Sequence, residues 1–104
     1  MSPENAIKLL ANPTRVAVLK WLKKPEEAFV GYSQLFPFER YGVCASLIQD
    51  KAGLSQPATS LCLKALYDAG LLEASKVGKW TYYRRCEPRI CEMTDTVSRT
   101  LQEL

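Results

Sequence analysis

The chain has 104 residues, 47% of them hydrophobic and 24% charged, with four cysteines and no histidine. This length suits one domain with a single core, and the composition is that of an ordinary globular protein rather than a disordered or collagen-like chain. The lack of histidine excludes His-based catalytic dyads and triads and every zinc site that requires imidazole.

The sequence gives no sign of membrane insertion or export. Its apolar runs are of the length seen at 16–19, far short of the roughly 20 residues that a membrane span needs. The first residues lack the basic region and apolar stretch of a secretory signal, so we expect a cytoplasmic protein. In a reducing cytosol, cysteines are expected to be free thiols, ligands or redox sensors before they are structural disulfides.

The formal net charge of +3 is concentrated in one short segment. Residues 76–89 carry five basic side chains and one acidic side chain, whereas the rest of the chain carries nine basic and ten acidic ones. A local basic stripe of this kind is typical of a surface that contacts phosphate groups. The alternative is a solvated surface without a ligand.

The N-terminal region predicts two helices. The first is expected over 3–11, with Ser2 as N-cap and a proline at the first helical position. Asn12 and Pro13 repeat this pattern of an N-cap residue followed by proline, and they begin the second helix. Apolar residues at helical spacing extend that helix to 23–24. Pro25 then ends it.

The segment 25–41 is predicted as an aromatic loop without a regular element. It shows no sustained periodicity and contains two prolines. Five of the ten aromatic residues fall within it, and so much aromatic surface requires burial. These five are Phe29, Tyr32, Phe36, Phe38 and Tyr41.

The second half of the chain predicts two close helices, a hairpin and a final helix. A short helix starts at 47–48 and ends before Gly53, and a second runs from its N-cap Ser55 to about residue 69. Two β-prone stretches, 71–77 and 79–85, surround Gly78. The last helix starts near residue 88 and carries a narrow apolar stripe, which suits pairing with another helix. The stripe consists of Ile90, Met93, Val97, Leu101 and Leu104.

This order of elements is that of a winged helix-turn-helix. We therefore predict a mainly α protein with a small β-hairpin, composed of five helices plus a wing, as a single domain over 1–104. The helix-turn-helix is placed at 44–69, the wing at 71–86 and a dimerisation helix at 88–104. With Gly53 as the turn, the residues expected to point inward are Ile48, Ala52, Leu54, Thr59 and Cys62.

The outward face of the second helix and the tip of the wing are predicted to bind double-stranded DNA. Hydroxyl, amide and ammonium groups near a helix N-terminus can contact phosphates and base edges in the major groove, and wing residues can reach the backbone or the minor groove. The aromatic residues at 80–83 are expected to be mostly core, with a stacking platform for bases as the alternative. The predicted contacts are Ser55, Gln56, Ser60, Leu61 and Lys64 on the helix and Lys76, Lys79 and Thr81 on the wing.

The stretches LANPTRVAVLKWL and GLSQPATSLCLKALYDAGLLEASKVGKWTYYRR resemble the ArsR/SmtB family of bacterial winged-helix repressors. The resemblance covers the first two helices and residues 44–85. It implies a homodimer joined through its first and last helices, which binds an inverted-repeat operator and represses transcription until an inducer lowers its affinity for DNA. The apolar stripe of the last helix independently favours such a partner. The expected interface residues are Ile7, Leu10, Ile90, Met93, Val97 and Leu101.

The metal sites that this family implies are both incomplete. Its Cys-x-Cys pair at the start of the third helix corresponds to Cys44 and Ser46, and the site of Asp and His ligands on the last helix lacks histidine. The remaining sensor candidates are Cys44, Cys86 and Cys91, because Cys62 is expected to be a small core residue. Arginines near the latter two would favour thiolates, and Pro88 could provide a turn that brings their sulfurs together.

Three interpretations of these thiols stay open: inert thiols, a reversible disulfide that shifts the last helix, and a site for a thiophilic ion such as arsenite. The aromatic loop 25–41 has two interpretations of its own. It either packs over the core or along the dimer edge, or it forms a pocket wall for an aromatic or apolar inducer with Cys44 at the rim.

Two other classes of function compete with a repressor. The first is a winged-helix protein–protein interaction module that does not bind DNA, against which the basic wing argues. The second is an enzyme, which we do not expect, because a cysteine nucleophile would lack an activating histidine.

Overall fold

The computed structural model describes residues 2–104, so only Met1 of the predicted domain lies outside it. The five predicted helices and the hairpin are present, and two helices of four residues each and a two-residue strand are added to them. In chain order the elements are α1 (Pro3–Leu10), α2 (Pro13–Lys23), α3 (Pro25–Ala28), α4 (Phe38–Tyr41), β1 (Val43–Cys44), α5 (Ala45–Ala52), α6 (Gln56–Asp68), β2 (Leu72–Val77), β3 (Trp80–Arg85) and α7 (Glu87–Glu103).

Three helices begin where the sequence places their N-caps. The side-chain oxygens of Ser2, Asn12 and Ser55 each accept a hydrogen bond from a backbone N–H in the following first turn, at 2.9 to 3.2 Å. These caps satisfy donors that a helix leaves unpaired, and the proline after each cap fits the first turn because it has no N–H to satisfy. By contrast, α5 begins at Ala45, two residues before the predicted start.

The predicted hairpin supplies two strands of a three-stranded antiparallel sheet with the order β1-β3-β2, in which β3 is the central strand. Gly78 adopts a φ of +61° in the two-residue turn between β2 and β3. The third strand, β1, was not predicted, since a strand of two residues has no periodicity to detect. It pairs with β3 and places Cys44 opposite Tyr82, so the end of the aromatic segment is joined to the wing.

The core lies between α2, α5, α6 and the sheet. One polar side chain is buried beside it: the Thr59 hydroxyl donates to the Ser55 carbonyl at 2.9 Å, which satisfies the buried group. The buried cluster consists of Val18, Leu22, Phe29, Val43, Ile48, Leu63, Leu66, Leu71 and Leu72.

The aromatic segment is not a loop throughout, because α3 and α4 each form a single helical turn within it. Its first half packs into the core through Phe29, which is 1% exposed. The ring of Phe29 lies 5.4 Å from that of Tyr32 and 6.2 Å from that of Trp21, in both cases edge to face. Burial of such a side chain stabilises a fold by about 1.5–3 kcal/mol.

The second half of the segment is attached to the sheet. The ring of Phe36 lies 4.7 Å from that of Tyr41 and 5.7 Å from that of Tyr82 on β3. The amide of Gln34 spans the same region, since it donates to the carbonyls of Phe36 and Gly42 and accepts from the Cys44 N–H. These contacts fix residues 34–44 against the wing.

Candidate nucleic-acid interface

Helices α5 and α6 form the helix-turn-helix, with Gly53 at the turn. Gly53 has a φ of +66°, and its N–H donates to two carbonyls in the last turn of α5, which closes that helix. The five residues predicted to point inward all lie on the packed side. Ile48 and Thr59 are buried, and Ala52, Leu54 and Cys62 are half-buried.

The opposite face of α6 is solvent-exposed along the positions predicted to contact DNA. Ser55 caps the helix through its oxygen and keeps its hydroxyl proton free to donate. Gln56 Nε2 donates to Ser60 Oγ at 3.3 Å, so both polar ends are held at the surface. All five side chains are exposed, namely Ser55, Gln56, Ser60, Leu61 and Lys64.

Lys64 carries a full positive charge on this face. Its Nζ donates to an Asp68 carboxylate oxygen at 2.8 Å, one helical turn further along. This hydrogen bond and the neighbouring negative charge raise the pKa of Lys64 above its ordinary value. Both side chains are exposed, so a phosphate group can replace Asp68 at little cost.

The tip of the wing presents two lysines without ion pairs among residues 2–104, Lys76 and Lys79. Both are exposed, and the Lys79 Nζ lies 5.2 Å from the centre of the Trp80 ring. Thr81 faces Lys76 across the hairpin and is half-buried. Of the consecutive aromatic residues, Tyr82 is buried, whereas Trp80 keeps an exposed surface.

The three arginines of the basic segment have structural partners instead. The Nη2 atom of Arg84 lies 3.8 Å from a carboxylate oxygen of Glu73. The Nε atom of Arg89 lies 3.9 Å from a carboxylate oxygen of Glu92. Arg85 is the most enclosed of them. The positive charge that remains free for a ligand therefore belongs to the two lysines at the wing tip.

Arg85 joins three elements at the base of the wing. Its guanidinium donates to the Leu19 carbonyl of α2 at 3.2 Å and pairs with Glu87 of α7 at 2.9 Å, while its backbone ends β3. In the sequence this residue counts only as one more positive charge. No periodic or local signal distinguishes it, nor does one distinguish Gln34.

Helix α7 has no buried residue along its 17 residues. Together with α1 and α2 it forms an apolar groove of about 340 Å³. Five of the six predicted interface residues line this groove, and Ile7 lies outside it as an exposed residue of α1. The five are Leu10, Ile90, Met93, Val97 and Leu101.

The four cysteines are free thiols in different surroundings. Cys44 is buried, with its sulfur 3.2 Å from the Ser46 hydroxyl oxygen. Cys62 is half-buried, and burial raises the pKa of its thiol, although the charge of Arg15 acts in the opposite direction. A core role for Cys62 agrees with this environment.

Cys86 and Cys91 do not meet across a turn, contrary to the expectation for Pro88. The proline is the second residue of α7, so the helix continues through it, and Cys86 is the N-cap. Five residues of helix place the two side chains about 140° apart around the axis and about 7.5 Å apart along it. In addition, residues 2–104 contain no convergent group of three Cys, Asp or Glu side chains that could hold a metal ion.

Comparisons with known proteins agree with this architecture, although no family model matches the chain. The chain is 38% identical over 95 residues to an uncharacterized HTH-type transcriptional regulator, YbzH, of Bacillus subtilis strain 168, covering 91% of this chain and 94% of that protein. It is 41% identical over 63 residues to a Halobacterium salinarum protein assigned as arsenical resistance operon repressor ArsR2, covering 61% of this chain and 49% of that protein.

The fold has a counterpart among solved structures. The crystal structure of M. tuberculosis Rv0081 matches with a TM-score of 0.60 at 23% identity, over 94% of this chain and 83% of that chain. Among residues 2–104, no helix is both long and apolar enough to cross a membrane. Through its match to a regulator along nearly its whole length, its second match to a repressor and its winged helix-turn-helix, the chain belongs to the ArsR/SmtB family of transcriptional regulators.

Proposed function

We propose that the chain is a homodimeric repressor that binds an inverted-repeat operator through α6 and the wing and leaves it when an effector binds. One observation carries the DNA-binding surface: an exposed polar face on α6 coexists with two unpaired lysines at the wing tip. The first can enter a major groove, and the second can neutralise backbone phosphates. The archaeal relative assigned as a repressor supports repression as the outcome.

A second copy of this chain is the occupant we propose for the groove along α7. The groove runs between α7 and the first two helices, and its lining is mostly aliphatic. An isolated protomer would leave this surface in water, at a cost in free energy proportional to its apolar area. A two-fold axis through α7 would present two copies of α6, which is the arrangement that reads an inverted repeat.

The effectors expected from the sequence are a thiophilic ion, thiol oxidation and a small molecule. A thiophilic ion held by three thiolates in one protomer has little support, because Cys44, Cys86 and Cys91 do not converge. A disulfide between the last two would require the first turn of α7 to unwind. A small molecule therefore has the better support among the effectors expected from the sequence.

Fluorescence anisotropy with a labelled duplex from the promoter of the chain's own gene tests DNA binding. Titrations at several salt concentrations should give a steep loss of affinity with salt. Lys79→Ala should weaken binding to every duplex. It should also reduce the slope of the logarithm of the binding constant against the logarithm of the salt concentration, here called the salt slope, by about 1. Lys20→Ala, which removes an exposed lysine from α2, is the matched control and should leave the slope unchanged.

Absence of binding at low salt to any inverted-repeat promoter would contradict the proposal. The winged fold would then favour the alternative function, a protein–protein interaction module. A salt slope that stays unchanged in Lys79→Ala would place the wing outside the interface.

A further inference from the structure

A cavity of about 160 Å³ lies where the aromatic segment, the start of α5 and the wing meet. We propose that it binds a neutral, single-ring aromatic molecule with one hydroxyl group, and, as a step that rests on the proposed repressor function, that this molecule is the effector. The cavity is lined by Ser33, Gln34 and Leu35 of the aromatic segment, Cys44, Ser46 and Leu47 around the start of α5, and Trp80 and Tyr82 of β3.

The walls of the cavity are fixed before a ligand arrives. The Gln34 side chain forms three hydrogen bonds of 2.8 to 2.9 Å, and all of them hold backbone groups within residues 34–44. Cys44 is held in the sheet opposite Tyr82, which is itself buried. Binding sites for small molecules are usually preformed in this way, because ordering a loop on binding would cost affinity.

The chemistry of the lining favours a neutral ligand. None of the eight lining side chains is a carboxylate, an ammonium or a guanidinium group. Burial raises the pKa of the Tyr82 hydroxyl, and the neighbouring Cys44 acts in the same direction, so this phenol also stays neutral. A charged molecule would lose hydration without gaining a counter-charge in the wall.

One polar group on the ligand can be accommodated. The Ser46 hydroxyl is exposed at the cavity and lies 3.2 Å from the sulfur of Cys44, which is a weak partner. A ligand hydroxyl can replace that contact with a stronger O–H···O hydrogen bond. The remaining surface, from Leu35, Leu47 and the Trp80 ring, is apolar.

The volume of the cavity matches a single aromatic ring. An engineered cavity of about 150 Å³ with apolar walls binds benzene. The cavity here is of the same size, and it opens beside Leu35, whose side chain is 77% exposed. A phenol fits this space, whereas the second ring of a fused two-ring molecule would extend past Leu35 into solvent and gain little contact with the wall.

An occupant would contact both parts of the DNA-binding surface. Trp80 is adjacent to Lys79 at the wing tip, and Ser46 and Leu47 belong to the first helix of the helix-turn-helix. A ligand that shifts β3 relative to α5 would change the geometry in which the wing and α6 meet DNA. By linkage, DNA binding would weaken the affinity for that ligand by the same factor.

Tryptophan fluorescence tests the site without DNA. The chain has two tryptophans, so Trp21→Phe leaves Trp80 as the sole reporter. Titration of this variant with phenol should give a saturable, single-site change in Trp80 emission, and benzoate, a charged ring of similar size, should give none. Linear quenching without saturation, or equal binding of benzoate, would overturn the proposal.

Two variants locate the site in that background. Ser46→Leu fills the cavity and should weaken phenol binding at least about tenfold. Leu35→Ala removes part of the wall and should weaken it about threefold, a smaller loss because Leu35 is largely exposed. Val30→Ala is the matched control, because Val30 is also 77% exposed but does not line the cavity. Unchanged binding in Ser46→Leu and Leu35→Ala, with native circular dichroism, would place the phenol elsewhere.

Anisotropy with operator DNA then tests the effector role separately. Saturating phenol should lower the DNA affinity of the unmodified chain and leave that of Ser46→Leu unchanged. Saturable phenol binding with unaltered DNA affinity would overturn the effector role. A chain that binds phenol but no DNA at any salt concentration would instead refute the repressor function.

Discussion

The backbone N–H of Cys44 donates a 2.9 Å hydrogen bond to Oε1 of Gln34, ten residues earlier in the chain. The same amide donates through Nε2 to the carbonyls of Phe36 and Gly42, each at 2.8 Å. One side chain thus satisfies three backbone groups. It joins the aromatic segment to β1, and through β1 to the wing.

Replacement of Gln34 should therefore loosen the segment and destabilise the fold. In Gln34→Leu, two carbonyls and one N–H lose their partner, and we expect a loss of about 2–3 kcal/mol in the free energy of unfolding. Urea denaturation monitored by circular dichroism measures this. Gln102→Leu, at an exposed position in the last turn of α7, is the control and should change stability by less than about 0.5 kcal/mol. Equal midpoints for the two variants would show that Gln34 does not hold the segment.

The role of Gln34 shows which features the sequence could predict. Helix starts at Ser2, Asn12 and Ser55 and the turns at Gly53 and Gly78 were predicted correctly, because caps and turns depend on neighbouring residues. The contacts of Gln34 depend on where the chain returns after eight and ten residues. No local propensity encodes that return, so neither the hydrogen bonds nor β1 could be predicted.

The basic segment shows the same limit for the site. Composition located the positive charge correctly, but it could not separate lysines that face solvent from arginines that pair. Arg85 is 14% exposed and bonded to α2 and α7, which depends on the packing of three elements. The outward face of α6, by contrast, follows directly from the 3.6-residue period once Gly53 fixes the turn.

Gly42 should tolerate no side chain. Its φ of +86° is left-handed, and an added Cβ would overlap the Tyr83 carbonyl group of β3, which is backbone that cannot rotate away. We expect Gly42→Ala to lower the midpoint of thermal unfolding much more than Gly31→Ala. Gly31 is the matched control, because its φ is +85° but nothing lies within 4 Å of an added Cβ. Gly31→Ala should cost only the backbone strain of about 1–2 kcal/mol. Equal losses would mean that strain alone, and not the close approach to β3, explains Gly42.

The thiols should differ in reactivity according to their surroundings. At neutral pH, iodoacetamide should modify the exposed Cys91 first and Cys62 much later, as measured by mass spectrometry of peptides. Burial raises the pKa of Cys62 above its ordinary 9.0, so less of it is thiolate and its rate should still increase above that pH.

The same shift has a consequence for stability. Above pH 9.0 the thiol of Cys62 ionises in the unfolded chain while it stays protonated in the folded chain. The contribution of Cys62 to the free energy of unfolding is therefore intact below that pH and is lost as the pH rises. Cys62→Ala should remove this dependence. A rate for Cys62 equal to that of Cys91 at neutral pH would contradict the assignment of Cys62 to the packed side of α6.

A charge in the groove along α7 should separate the proposed dimer. Leu101 lines the groove and is 58% exposed, so Leu101→Glu does not disturb the core of one protomer. We expect this variant to fold, to sediment as a monomer and to lose most of its DNA affinity, because one half-site supplies fewer contacts than two. Val30→Glu places the same charge on an exposed residue outside the groove and should remain dimeric. A dimeric Leu101→Glu would move the interface away from α7.

Leu61 should give the operator a requirement for thymine. It is 70% exposed on the face of α6 that otherwise offers polar groups, and an aliphatic side chain there has no hydrogen bond to give. In the major groove its apolar counterpart is the C5-methyl group of thymine. Replacement of single thymines by uracil, which lacks only that methyl group, should weaken binding at one position in each half-site.

Leu61→Ala in the protein, combined with uracil in the operator, decides whether Leu61 makes that contact. In Leu61→Ala, the affinity for the unmodified operator should fall about fivefold, and the uracil operator should then bind no more weakly than the thymine operator, because the contact is already lost. Ser60→Ala, on the neighbouring exposed residue, should keep the full uracil penalty. If the uracil penalty persists in Leu61→Ala, another residue of α6 recognises the methyl group, and the leucine contributes only to exclusion of water from the groove.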